Sequence, residues 1–153
     1  MNEKTNYLAR PVKLADMNQL IQLCADHASY EDAGYSKGGK AKELSEYLFS
    51  NDSPVKCLVV SDEKNLMGYT TFMKQFSTWD ARHYIYMDCL YLSPDARNQG
   101  LGKKLIECIV EYAHNERCTE IQWQTPTSNT RAIKFYKQNG ADSKSKVRFF
   151  LQV

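Results

Sequence analysis

The residues with the most evident chemistry are Arg97-Asn98-Gln99-Gly100-Leu101-Gly102, followed by Lys103 and Lys104. A strand is predicted over Tyr84–Leu92, Ser93-Pro94-Asp95-Ala96 breaks it, and a helix is predicted over Leu101–Glu116. The first turn of a helix leaves backbone N–H groups without partners, and the helix dipole adds to their pull on anions. Glycine lets a phosphate come close to the backbone. The segment therefore reads as a phosphate cradle; the alternative is a plain helix cap flanked by exposed lysines. It is not a P-loop, because Arg97 stands where that motif needs glycine and Lys104 where it needs Ser or Thr. It is not a dinucleotide fingerprint either, because Leu105 replaces the third glycine.

The elements that must position this cradle are legible in outline. Tyr7–Arg10 is a short strand ended by Pro11, and Ala15–Ala28 is a helix with Met17, Leu20, Ile21, Leu23 and Cys24 at helical spacing. Residues 31–39 form a glycine-bearing loop, Lys40–Phe49 a second amphipathic helix and Asn51–Pro54 a turn. Val55–Val60 is a buried strand by its β-branched content, 62–65 is a hairpin turn, and Gly68–Phe76 is the returning strand. In the helix that follows the cradle, Leu101, Leu105, Ile106, Ile109 and Ala113 make one apolar stripe. Glu120–Gln124 is a short strand closed by Pro126. Asn129–Asn139 is a helix stopped by Gly140, and Val147–Leu151 supplies a last strand. This order predicts an α+β domain around a mixed sheet, with a parallel crossover from Tyr84 to Gln124.

The bulk properties narrow the function. The 153 residues fit one domain, and 42% hydrophobic with 25% charged content argues against a disordered or fibrous chain. A net charge of +2 gives no overall electrostatic case for nucleic acid or membrane, so an anion site must be local. Cys24, Cys57, Cys89, Cys108 and Cys118 show no C-x-x-C spacing and read as small buried hydrophobes of a reducing compartment. His27, His83 and His114 are isolated in sequence, so no metal is expected. Met1–Asn6 lacks the apolar core of a signal peptide and no stretch has transmembrane length; a soluble, cytoplasmic protein is expected.

At this point the sequence resembles the GNAT superfamily of N-acetyltransferases. Arg97–Gly102 matches the family's Arg/Gln-x-x-Gly-x-Gly/Ala motif between a strand and a helix, and Leu90–Ala96 matches the entry to it. Downstream, Asn129–Ala141 matches N-x-x-A-x-x-F-Y-x-x-x-G-A. Within the superfamily the chain is most similar to the diamine (spermidine/spermine-type) and thialysine branch, through Tyr30-Glu31 and Gly68-Tyr69-Thr70-Thr71-Phe72. It departs from that branch with Asp88-Cys89 in place of Glu-Asp, Ser128 in place of Trp, and Trp79 displaced by one position.

The resemblance implies the GNAT fold: a mixed, mostly antiparallel sheet of six to seven strands flanked by about four helices. It implies acetyl-CoA, with its pyrophosphate on the backbone amides of Asn98, Gln99, Gly100, Leu101, Gly102 and Lys103, its arm beside Leu90-Tyr91-Leu92, and Arg97 and Asn129 as further contacts. It implies direct attack of an amine on the thioester, with Asp88 as base through a water and Tyr136 as the acid that protonates sulfur. A phenol, with reference pKa ~10, is protonated at neutral pH and can donate. The alternatives are an ion pair of Asp88 with Arg82 or His83, and a packing role for Tyr136. Tyr30, Glu31 and Trp79 are the expected contacts of a small-molecule amine substrate, with Asp32 and Asp80 as lesser candidates. The resemblance also implies a homodimer. A protein or peptide N-acetyltransferase and a non-catalytic acyl-CoA sensor are the competing functions.

Overall fold

The computed structural model describes residues 7–62 and 64–153. The stretch Met1–Asn6 and one residue of the 62–65 turn lie outside the described residues. Among the described residues five strands form one sheet in sequence order: β1 (Leu8–Pro11), β2 (Val55–Ser61), β3 (Leu66–Ser77), β4 (Arg82–Leu92) and β5 (Ile121–Gln122). Neighbours are antiparallel except β4 and β5, which run parallel as the helical connection between them requires. The helices are α1 (Met17–Tyr30), α2 (Lys40–Leu48), α3 (Leu101–Asn115) and α4 (Thr130–Gln138).

The sheet has a helix on each face. Cys57 and Val59 of β2 point to α1, where Met17, Leu20 and Leu23 cover them, while Val60 packs with Leu101 and Leu105 of α3. This is the period-two alternation of a strand buried on both sides. Arg10 of β1 donates to both carboxylate oxygens of Asp16, at 2.6 and 3.0 Å, and fixes the entry to α1. That guanidinium holds the Asp16 carboxyl below the usual carboxylate range.

One irregularity shapes everything downstream. The pairing of β3 with β4 jumps from Thr71↔Cys89 to Phe72↔Met87, so Asp88 is a bulge with no partner. A single extra residue reverses which face each later side chain meets. Before the bulge, Ile85 and Met87 pack on the α3 side; after it, Cys89 and Tyr91 pack on the α1 side.

The sheet corrects two expectations. It has five strands rather than six to seven, because Val147–Leu151, expected as the last strand, lies in no strand. A strand needs a neighbour to receive its backbone groups, and this segment has none among the described residues. The expected Glu120–Gln124 strand shortens to Ile121–Gln122, since only two residues pair with β4. No helix among the described residues is long and apolar enough to cross a membrane.

Candidate active site

The cradle forms at the start of α3. Gly100 is the N-cap with φ +75°, and no side chain caps the helix. A Cβ added to Gly100 meets nothing within 4 Å, so the space in front of the first turn is open. Asn98 also has positive φ, which turns successive amides to one side. No acidic residue lies in the first turn, and Lys103 and Lys104 stand exposed beside it. These features fit a diphosphate. Gln99 is tied down by its amide, which donates to the Asp95 carbonyl at 2.7 Å.

Gly102 has a different task. A Cβ there would lie 3.0 Å from the Phe135 ring and 3.6 Å from Leu92. The bare backbone lets α4 and the end of β4 press against α3. Arg131 of α4 reaches back and donates to the Asn98 side chain at 3.2 Å. The two matched motifs are therefore in physical contact.

Beyond the bulge, one edge of β4 is open. β3 pairs with β4 as far as Leu92↔Gly68, whereas β5 pairs only at Ile85 and Tyr86. The backbone from Asp88 to Leu92 thus has a free edge facing away from β3, which suits an extended amide-bearing arm. Gly68 holds the other edge close: a Cβ there would meet Leu92 at 2.4 Å and the Tyr91 carbonyl at 2.6 Å. Arg97 closes the end of the strand, donating to the Leu92 carbonyl at 3.0 Å with its guanidinium over Tyr30 and Tyr91.

Asp88 is exposed at the bulge. Neither of its expected basic partners joins it: Arg82 donates to the Asp80 carbonyl, and His83 sits edge-on against Phe76. The hydroxyl of Thr71, on the β3 side of the bulge, is buried and has no partner among the described residues.

Tyr136 lies on the inner face of α4, tilted against Trp123 and Phe135. Its hydroxyl makes no hydrogen bond among the described residues. Burial, then the charges of Glu31 and Cys89, push its phenol up to about 12. It is a neutral donor at any physiological pH, with an unspent proton.

Tyr30 and Glu31, at the end of α1, meet the start of α4. Tyr30 donates to the Asn129 side-chain oxygen at 3.4 Å, and that oxygen also caps α4 at Ala132 N, 3.2 Å away. Tyr30, Glu31, Asp32, Asn129 and Arg131 line a cleft of about 290 Å³. Trp79 is not brought to it. It stands 98% exposed at the β3–β4 turn. The strand between Arg82 and Asp88 alone separates the two by about 20 Å.

His27 is the residue the sequence did not single out. Its Nδ1 is 2.9 Å from the Tyr69 hydroxyl, its Nε2 3.3 Å from a Glu31 carboxylate oxygen, and its ring stacks on Tyr91 at 5.1 Å. The only sequence signal was the four-residue spacing of His27 and Glu31 where α1 ends. His27 links the β3–β4 core to the acid at the cleft and fixes where that acid points. No group of three His, Cys, Asp or Glu among the described residues is arranged to hold a metal ion.

Comparison with known proteins identifies the family and the fold. The family model described as "Acetyltransferase (GNAT) family" matches residues 17–141. The thialysine N-epsilon-acetyltransferase of Bos taurus is 27% identical over 142 residues, covering 88% of this chain and 83% of that protein. An integron cassette protein from the mobile metagenome of V. cholerae is 26% identical, with TM-score 0.77 over 94% of this chain and 92% of the other. An aminoglycoside N-acetyltransferase solved in complex with CoA shares the fold, with TM-score 0.82 over 99% and 98% of the two chains at 15% identity.

Proposed function

The chain belongs to the GNAT family of acetyltransferases and is an acyltransferase, and we propose that it moves the acetyl group of acetyl-CoA to a primary amine of a small polyamine-like or lysine-like substrate by direct attack. Asn98 to Lys103 hold the pyrophosphate with their amides, the open edge of Leu90-Tyr91-Leu92 holds the arm, and Arg97 and Asn129 frame it. When bound, the cosubstrate supplies an acetyl thioester whose C–S bond breaks after the new N–C bond has formed. Asp88 takes the amine proton through one water, since its side chain is short. Tyr136 gives its proton to the departing sulfur, and solvent restores it. A strand N–H beyond the bulge polarises the reacting carbonyl. The same reading makes the protein a cytoplasmic homodimer.

The observation that carries the substrate class is the cleft itself: Glu31 and Asp32 outnumber Arg131 among its charged lining, Tyr30 gives a ring face, and Asn129 joins it to the cosubstrate side. Such a mouth favours a cation. The relatives' names point to small amines, thialysine in one case and D-amino acids in a yeast protein 30% identical over 70 residues. The test is kcat/KM for small diamines, polyamines and lysine analogues against peptide N-termini. Small cationic amines lead, and Glu31→Gln narrows their lead by raising KM. Peptides leading instead would establish the protein-acetylating alternative.

A further inference from the structure

His27 sits where the core of the sheet meets the cleft, and its side chain is only 15% exposed. The Tyr69 hydroxyl of β3 lies 2.9 Å from its Nδ1, and a Glu31 oxygen lies 3.3 Å from its Nε2. Both ring nitrogens are therefore engaged, by partners of opposite kind. A carboxylate only accepts, so Nε2 carries the proton and donates it to Glu31. A phenol donates, so Nδ1 can be the bare nitrogen. Tyr69 makes that choice firm: burial pushes its phenol far above the usual range, so it always has a proton to place. The thiols of Cys24 and Cys89 beside it are kept protonated by burial and are weak acceptors. Nδ1 of His27 is the better acceptor for the Tyr69 proton.

The lock has a consequence at the cleft. One Glu31 oxygen is spent on His27, and the other has no side-chain partner among the described residues. Arg131, the cation in the same lining, donates instead to the Asn98 side chain at 3.2 Å. The carboxylate is thus held from behind, with one oxygen left for a ligand. That ligand atom is not the attacking nitrogen. An amine must be neutral to attack, and its proton goes to Asp88 at the bulge. A carboxylate discriminates by charge, so the group it suits is a second nitrogen that stays cationic.

Within the amine transfer proposed above, on which this rests, we propose that His27 is a positioning residue for specificity: Tyr69 holds it as the Nε2–H tautomer, and it aims the Glu31 carboxylate at a second, cationic amine of the substrate, so that diamines are preferred over monoamines. His27 itself touches neither substrate nor cosubstrate. Its effect passes through Glu31 and disappears when Glu31 is gone. One ordinary hydrogen bond corresponds to about 2- to 12-fold in an equilibrium, and that is the factor expected in the diamine preference.

The test joins imidazole nitrogen NMR to kinetics, both on the full chain. In mildly alkaline buffer the His27 signals, assigned by their absence from His27→Leu, should show a protonated Nε2 and a bare Nδ1, and Tyr69→Phe should move the Nδ1 signal. The kinetic readout is kcat/KM for putrescine over that for butylamine, a diamine and a monoamine of equal chain length. His27→Leu should lower this ratio by the factor above, through the KM for putrescine, with kcat and CoA affinity held. Tyr69→Phe, which keeps the buried ring and its packing, should lower it in the same direction. Adding His27→Leu to Glu31→Gln should change the ratio no further, because the two act as one unit. A proton on Nδ1 in the wild type, an unchanged ratio in either single variant, or losses that simply add in the double variant overturns the proposal and leaves acetyl transfer standing. Bound acetyl-CoA with neither amine acetylated by the wild type overturns acetyl transfer to small amines, and this proposal with it.

Discussion

Gly100 and Gly102 lie two residues apart, and the structure assigns them different work, so alanine at each should produce opposite kinetic signatures. At Gly100 the space is open but φ is +75°. Alanine there costs about 1–2 kcal/mol of backbone strain and sets a methyl group where the pyrophosphate must approach. Losing one charge-assisted amide contact costs roughly 1.5–3 kcal/mol, or about 10- to 100-fold in CoA affinity. Tyr136 is untouched, so kcat at saturation should hold. At Gly102 the backbone is helical but the new methyl lies 3.0 Å from the Phe135 ring. Overpacking of this kind costs about 1–3 kcal/mol, offset by up to about 1 kcal/mol of helix propensity. The melting temperature should fall by roughly 2–8 °C. The displaced Phe135 shifts its neighbour Tyr136, and small misplacements at a reacting centre cost up to about 100-fold in rate. The assay is CoA binding by calorimetry beside steady-state kinetics and thermal melts. Gly100→Ala binding CoA like the wild type would refute the cradle. Gly102→Ala with unchanged kcat and lowered CoA affinity would refute the contact route through Phe135.

Four further outcomes follow from the same geometry. Tyr136→Phe should lower kcat by about 10²- to 10⁴-fold with CoA affinity and melting temperature unchanged, because the hydroxyl has no partner to orphan; equal loss of rate and affinity would make it a packing residue. In the wild type, no alkaline fall in rate below about pH 12 should vanish with Tyr136→Phe, since the phenol stays protonated to about 12. Asp88→Asn should lower kcat most at low pH and recover with rising pH as more amine deprotonates unaided; a loss independent of pH would remove Asp88 as the base. For Asp16, whose carboxyl Arg10 holds low, the folded value lies below the unfolded one, so its stabilisation is present above the unfolded value near 3.9 and is lost as pH falls through the folded one. Asp16→Asn should cost roughly 1.5–3 kcal/mol at neutral pH and flatten the acid side of the melting profile; a variant as acid-sensitive as the wild type would contradict this.

Periodic elements were legible in the sequence, and singular ones were not. α1 and α3 carry one apolar stripe each, and β2 is a β-branched run, so their burial is dictated by repeat and residue type. β4 is apolar on both faces, and a bulge in such a strand leaves no mark in the pattern; only the pairing of Phe72 with Met87 exposes Asp88 as the extra residue. The strand-to-helix junction capped by Gly100 was legible because a glycine-bearing break separates two strongly patterned elements. His27 was missed because its partners Tyr69 and Tyr91 are remote in sequence. Trp79 is expected at the mouth as an aromatic face for a cation, although it stands one position off the branch's tryptophan; the length of β4 holds it away within the chain. The strand expected at Val147–Leu151 is not formed: its apolar content is plain in the sequence, but pairing is a property of a neighbour, which no local pattern supplies.

The central claim is that this constellation transfers acetyl to a small amine, and thiol release tests it most directly. Purified protein with acetyl-CoA should liberate free CoA thiol on addition of spermidine, a short diamine or thialysine, with stoichiometric acetylated amine detected by mass. Measured acetyl-CoA binding with no thiol released across a broad panel of small amines and peptides would contradict it, and would make the chain a sensor of its cosubstrate rather than an enzyme.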